Sequence, residues 1–273
     1  MSAAGLPQLD QECEPLTHYE LLQRMREQGT TIPSIFSIPG LLSSCFRVDW
    51  LHTADLGVSQ DYLGGLFQVL LGKIAPGRCA QDQCSALFLR MQQYYRMYPE
   101  ITSKLDNLTL LMIRKCATKP PKLRSRAGEC RGLIYFGKLM AEEFLDPRNP
   151  YEQAIIIAGQ ELWECYRQLS AAEYTAEALR THGLQFRAQM AALDIHTRSV
   201  EFRVKPKMHL FLHLTSGKMG NPSSFWNYRD EDFGGSIADM FFRAGGPSTA
   251  QAGSRSLLEK FVAQSRMPWI GVD

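Results

Sequence analysis

Four stretches of the chain hold residues whose types and spacing could do chemistry. In "FRVDWLHTADLG", Asp49 stands three residues before His52. An acid placed where a strand gives way to a helix sits at a surface lip, and carboxylates from separate elements converge there on a divalent cation. In isolation, D-x-x-H has a simpler reading: Asp49 caps the following helix and His52 packs against it. In "KPKMHLFLH", His209 and His213 share one helical face at i, i+4, a spacing that can chelate a transition metal. Leu210 stands where the metalloprotease pattern needs a Glu, so structural histidines on an apolar helix are the simpler reading.

The third stretch places Asp230, Glu231 and Asp232 ahead of an apolar helical face. Acids at a helix N-terminus gain a few tenths to ~1 kcal/mol from the macrodipole, which is sufficient reason for their presence. Beside Trp226, Tyr228 and Arg229 they exceed what a cap requires, and a metal-facing Glu231 stays open. The fourth is a basic run, "RKCATKPPKLRSRAGECR", which carries Arg114, Lys115, Lys119, Lys122, Arg124, Arg126 and Arg131 against one acid, Glu129. Such a run fits sequence-independent contact with a phosphate backbone, or a solvated loop.

The totals narrow the classes. A chain of 273 residues that is 45% hydrophobic can bury one large core or two ordinary ones, and its net charge of +2 supplies no global attraction to nucleic acid or membrane. Any such affinity must be local. Seven scattered cysteines without a C-x-x-C pair fit free thiols in a reducing compartment. The first residues lack an apolar signal core, and no apolar run approaches the ~20 residues of a membrane span. The expectation is a nuclear or cytoplasmic protein, not secreted, without a membrane partner. No P-loop, Rossmann fingerprint, nucleophile elbow or zinc ribbon is present.

The elements that must position these residues read as mainly helical. Apolar periodicity and punctuation predict helices over about 17–28, 54–74, 79–98, up to 145 after the basic loop, 151–169, 171–193 and 255–265, with a loop over 245–252. Residues 105–113 read as helix or strand. "SCFRVDW", 44–50, alternates like a strand, and "SVEFRV", 199–204, leans the same way. Pro206 suits a helix start. Glycines at 57, 64, 65 and 72 weaken the second helix by up to ~1 kcal/mol each, and mark close packing.

The order "FRVDWLHTADLGVSQDYLGGLF", a long helical stretch, "KPKMHLFLHL" and an acid-bearing closing helix resembles the C-terminal half of transposases of the CACTA (En/Spm), Kyakuja-Dileera-Zisupton and hAT classes. The resemblance covers about 35–246. It implies a partial RNase-H-like α/β core with a few short strands and a large helical insertion, about 75–195, within a mainly α chain. It flanks that core with a polar N-terminal segment and short helix, 1–34, and a C-terminal tail helix, 247–273. It also implies Asp49 as the second catalytic acid, His52 as the signature histidine and Glu231 as the third acid, with Asp49 and Glu231 holding Mg²⁺ or Mn²⁺ for displacement at a phosphodiester in DNA.

One departure matters. The first acid of such a core lies on an early strand, and Asp10 in the polar start is no substitute. The expectation is therefore a truncated, element-derived remnant of a DDE/D-type transposase, inactive as a nuclease by itself, that retains nucleic-acid binding. The alternative is a non-catalytic helical protein-interaction domain.

Overall fold

A computed structural model describes residues 16–196 and 201–243. The chain divides into two compact units, one up to Phe225 and one from Trp226 onward. The expected loop at 245–252 and helix at 255–265 lie outside the described residues.

In the first unit, α1 (His18–Glu27) is opened by Thr17, whose hydroxyl and main-chain N–H exchange bonds with Glu20 in a capping box. The strand expected at 44–50 does not form. A 3₁₀ turn covers Ser43–Cys45, residues 46–49 are irregular, and helix begins at Trp50. The alternating side chains are satisfied one by one. Phe46 meets the ring of Phe36 at 5.5 Å, Arg47 donates to the Met219 carbonyl and covers the ring of Phe225, and Trp50 enters the core. With no neighbouring strand to supply a ladder, β propensity yields to side-chain packing. Of the second candidate strand, residues 201–204 are also irregular, and Phe202 is buried. Among the described residues there is no strand, and the protein is mainly helical.

A π-helical segment, Leu51–Val58, leads into α2 (Ser59–Ile74). This helix is the centre of the unit: Tyr62, Leu63, Leu66, Phe67 and Leu70 are shielded completely from solvent. Around it pack α3 (Ala80–Met97), the single turn α4 (Leu110–Ile113), α5 (Ala127–Gly132) and α6 (Ile134–Phe144). The 105–113 stretch thus resolves as a loop that buries Leu105 and Leu108 before one helical turn. The expected basic loop is observed at 114–126. Gly64 admits it, because a Cβ there would lie 2.5 Å from the Lys122 Cα.

Next come α7 (Pro150–Arg167), opened by the Asn149 side chain with Pro150 in its first turn, and α8 (Ala176–His196). In α8, Leu179, Phe186, Met190 and Leu193 recur at helical spacing and are buried. α9 (Pro206–Thr215) starts at the expected proline and returns the chain to the π-helical segment. The tyrosine hydroxyl of Tyr62 donates to the Ile155 carbonyl at 3.0 Å and ties α2 to α7. In the second unit, α10 (Tyr228–Arg243) carries Asp230 and Glu231 in its first turn and Asp232 directly after it, so the acids stand at a helix start.

Candidate functional site

The D-x-x-H motif is anchored by the residue between its two ends. Trp50 is fully buried, edge-on to Tyr166 with ring centres 5.3 Å apart and 5.7 Å from Phe211. That anchor fixes Asp49 at the surface lip, where its side chain keeps 12% of its exposure. Asp49 Oδ2 accepts the main-chain N–H of His52 at 2.8 Å and lies 2.6 Å from the same residue's Nδ1. The geometry is that of the simpler reading: the carboxylate caps the first turn, and the His52 ring pairs with it. With Nδ1–H donating to Asp49, Nε2 becomes the basic nitrogen of the ring.

His52 is the second residue of the π-helical segment. Its wider winding releases carbonyls from the ordinary ladder, and lysines from distant parts of the chain collect them. Lys207 Nζ donates to the His52 carbonyl at 2.6 Å and to the Leu56 carbonyl at 3.2 Å; Lys122 Nζ donates to the Leu56 carbonyl at 3.0 Å. Gly57 makes room for this arrangement, since a Cβ there would come within 2.8 Å of the Lys207 Cδ. Two residues earlier in the K-P-K motif, Lys205 Nζ pairs with Asp61 Oδ1 at 2.6 Å. Burial pushes the Asp61 carboxyl up, opposed by Lys205, Lys122 and Lys207. Burial pushes the Lys122 amine down, opposed by Asp61. Through Lys207, in the first turn of α9, the K-P-K motif thus holds the D-x-x-H motif at His52.

Beneath this layer Asp55 is completely buried. The Tyr166 hydroxyl donates to its Oδ1 at 2.5 Å and shares a second bond with Ser59 Oγ at 2.8 Å. Burial, with the Asp55 charge beside it, pushes the Tyr166 phenol well up, so it stays a neutral donor. Asp55, Asp61 and Tyr166 were not singled out in the sequence. The available signal was two acids, six residues apart, embedded among Leu, Gly and Val in "ADLGVSQDYLGG".

The other candidate residues fall elsewhere. Glu231 lies in the second unit, exposed, its main-chain N–H bonded to the Asn227 carbonyl at 2.9 Å. In the basic loop, Arg114 curls back on the Lys119 and Ala117 carbonyls. Lys115, Lys119, Arg124 and Arg126 are exposed, Arg131 is half-buried in α5, and Lys122 is drawn inward to Leu56. His209 and His213 are exposed on one face of α9, with their Nε2 atoms 2.9 Å apart.

Among the described residues, no group of three or more His, Cys, Asp and Glu is arranged to hold a metal. The Asp49 carboxylate, with Oδ2 engaged by His52, does not by itself form a two-metal cage, and no chemical step is derived through Mg²⁺ or Mn²⁺. No described helix is long and apolar enough to cross a membrane. No protein-family model, curated protein or solved structure matches the chain.

Proposed function

We propose that the chain descends from the catalytic core of a DDE/D-type DNA transposase, that it does not cleave DNA by itself, and that it retains affinity for the DNA backbone. One observation carries the reading. The two motifs behind the resemblance, 155 positions apart, meet through the bonds of Lys207 to the His52 and Leu56 carbonyls. Motifs that belong to one ancestral site are expected to meet in this way. In such a core Asp49 corresponds to the second acid, His52 to the signature histidine and Glu231 to the third acid, and the RNase-H-like sheet is the part of the ancestral fold that the described residues lack.

The acids of the described residues support the inactive reading. The only described acids upstream of Asp49 are Glu20 and Glu27, both exposed on α1, and neither stands on a strand. DNA affinity is assigned to the exposed cations of the basic loop, which contact phosphates without reading sequence.

The test is a supercoiled plasmid incubated with the full chain and Mg²⁺ or Mn²⁺. No nicking is expected. Nicking that disappears in Asp49→Ala or Glu231→Ala would restore a working active site and overturn the inactive assignment.

A second reading, a helical protein-interaction domain, is favoured by the exposed Ile38, Leu42 and Phe46 between α1 and the π-helical segment, with exposures of 54%, 48% and 49%. It expects no affinity for DNA.

A further inference from the structure

We infer that His209 and His213 form a two-histidine site for a late first-row divalent metal such as Cu²⁺, Ni²⁺ or Zn²⁺. The rings stand one turn apart on α9, with centres 4.4 Å apart and Nε2 atoms 2.9 Å apart. Two nitrogens bound ~2.0–2.1 Å from one metal lie about 3 Å apart when they subtend a right angle. The helix therefore holds the two nitrogens at the separation a shared ion requires. Imidazole nitrogen suits these metals, whereas Mg²⁺ and Ca²⁺ prefer oxygen.

The surroundings favour the ligand state. Both side chains are exposed, so an ion can reach them. In the absence of metal the two Nε2 atoms satisfy each other by one N–H···N bond, and binding requires the donor ring to carry its proton on Nδ1 instead, so that both Nε2 lone pairs face the ion. The described residues supply no third protein ligand, so water or an external donor completes the coordination. The backbone beneath the pair is held in place, because α9 carries Lys207, which bonds to the π-helical segment, and Phe211, which is fully buried. The site is independent of Asp49 and Glu231 and of the DNA-binding proposal.

The experiment is a calorimetric titration of the full chain with Ni²⁺ and Cu²⁺ after alkylation of its exposed thiols, Cys45, Cys79 and Cys116. One equivalent of metal is expected to bind, Cu²⁺ more tightly than Ni²⁺. Either His209→Gln or His213→Gln should weaken it at least tenfold, and a hundredfold excess of Mg²⁺ should not compete. Both positions are exposed, so the variants keep the helical circular-dichroism signal of the parent. The Cu²⁺ spin-resonance spectrum should carry coupling to two nitrogens. Affinity unchanged in both variants, or no binding at millimolar metal, would overturn the assignment.

Discussion

Lys207 Nζ donates to the main-chain carbonyl of His52 at 2.6 Å, so one end of the chain's later half holds the turn that carries its Asp–His pair. A charge-assisted bond of this kind is worth ~1.5–3 kcal/mol when its partners are shielded, and Lys207 makes a second one to Leu56. Lys207→Met should lower stability by ~1–2 kcal/mol, discounted because Lys207 is only half-buried. The check is the urea midpoint at constant m value.

Gly57 and Lys207 should be coupled. Gly57→Ala places a Cβ 2.8 Å from the Lys207 Cδ and 3.4 Å from the His52 carbonyl oxygen. The substitution is expected to destabilise by ~1–3 kcal/mol, and by clearly less in a Lys207→Ala background. A double-mutant cycle reads the difference; strict additivity would mean that the lysine stem does not limit space at Gly57.

Gly64→Ala meets backbone. Its Cβ would lie 2.5 Å from the Lys122 Cα and 2.7 Å from the Leu123 nitrogen, and main chain moves less readily than a lysine stem. A loss of ~2–3 kcal/mol is expected, with faster proteolysis of the 114–126 loop.

Tyr166→Phe removes the hydroxyl that bridges buried Asp55 and Ser59. Loss of a donor to a buried carboxylate should lower stability by ~2–4 kcal/mol. Ser59→Ala, which leaves the Tyr166–Asp55 bond in place, should have the smaller effect in the same melt.

The His213 ring has a folded value below the unfolded 6.5. The unfolded chain then binds the proton more readily. The neutral ring's contribution is present above 6.5 and is lost as pH falls from 6.5 toward the lower folded value. His213→Gln should flatten the pH dependence of stability in that window, measured by chemical denaturation at several pH values.

Helices were legible wherever apolar residues recur at helical spacing, as in α3 with Leu87, Met91, Tyr94 and Tyr95, and in α9 with its proline start. The strand reading at 44–50 failed because alternation in "SCFRVDW" records which side chains have separate partners, and pairing requires a second strand that a single segment cannot reveal. Asp49 and His52 were legible as a motif, and their geometry agrees with the capping role. Lys122 was read as a surface cation in a basic run; only the tertiary fold draws it inward to Leu56. The buried Asp55–Tyr166 bond joins residues 111 positions apart, and neither residue has a local pattern that names the other.

Retained contact with the DNA backbone is read out by binding of the full chain to a DNA duplex across a range of salt concentrations. Affinity should fall linearly on a log–log plot, with a slope reduced by ~1 for each phosphate-contacting cation removed among Lys115, Lys119, Arg124 and Arg126, and it should be insensitive to sequence. No salt-dependent binding, or binding unchanged when all four are replaced by Ala, would contradict it.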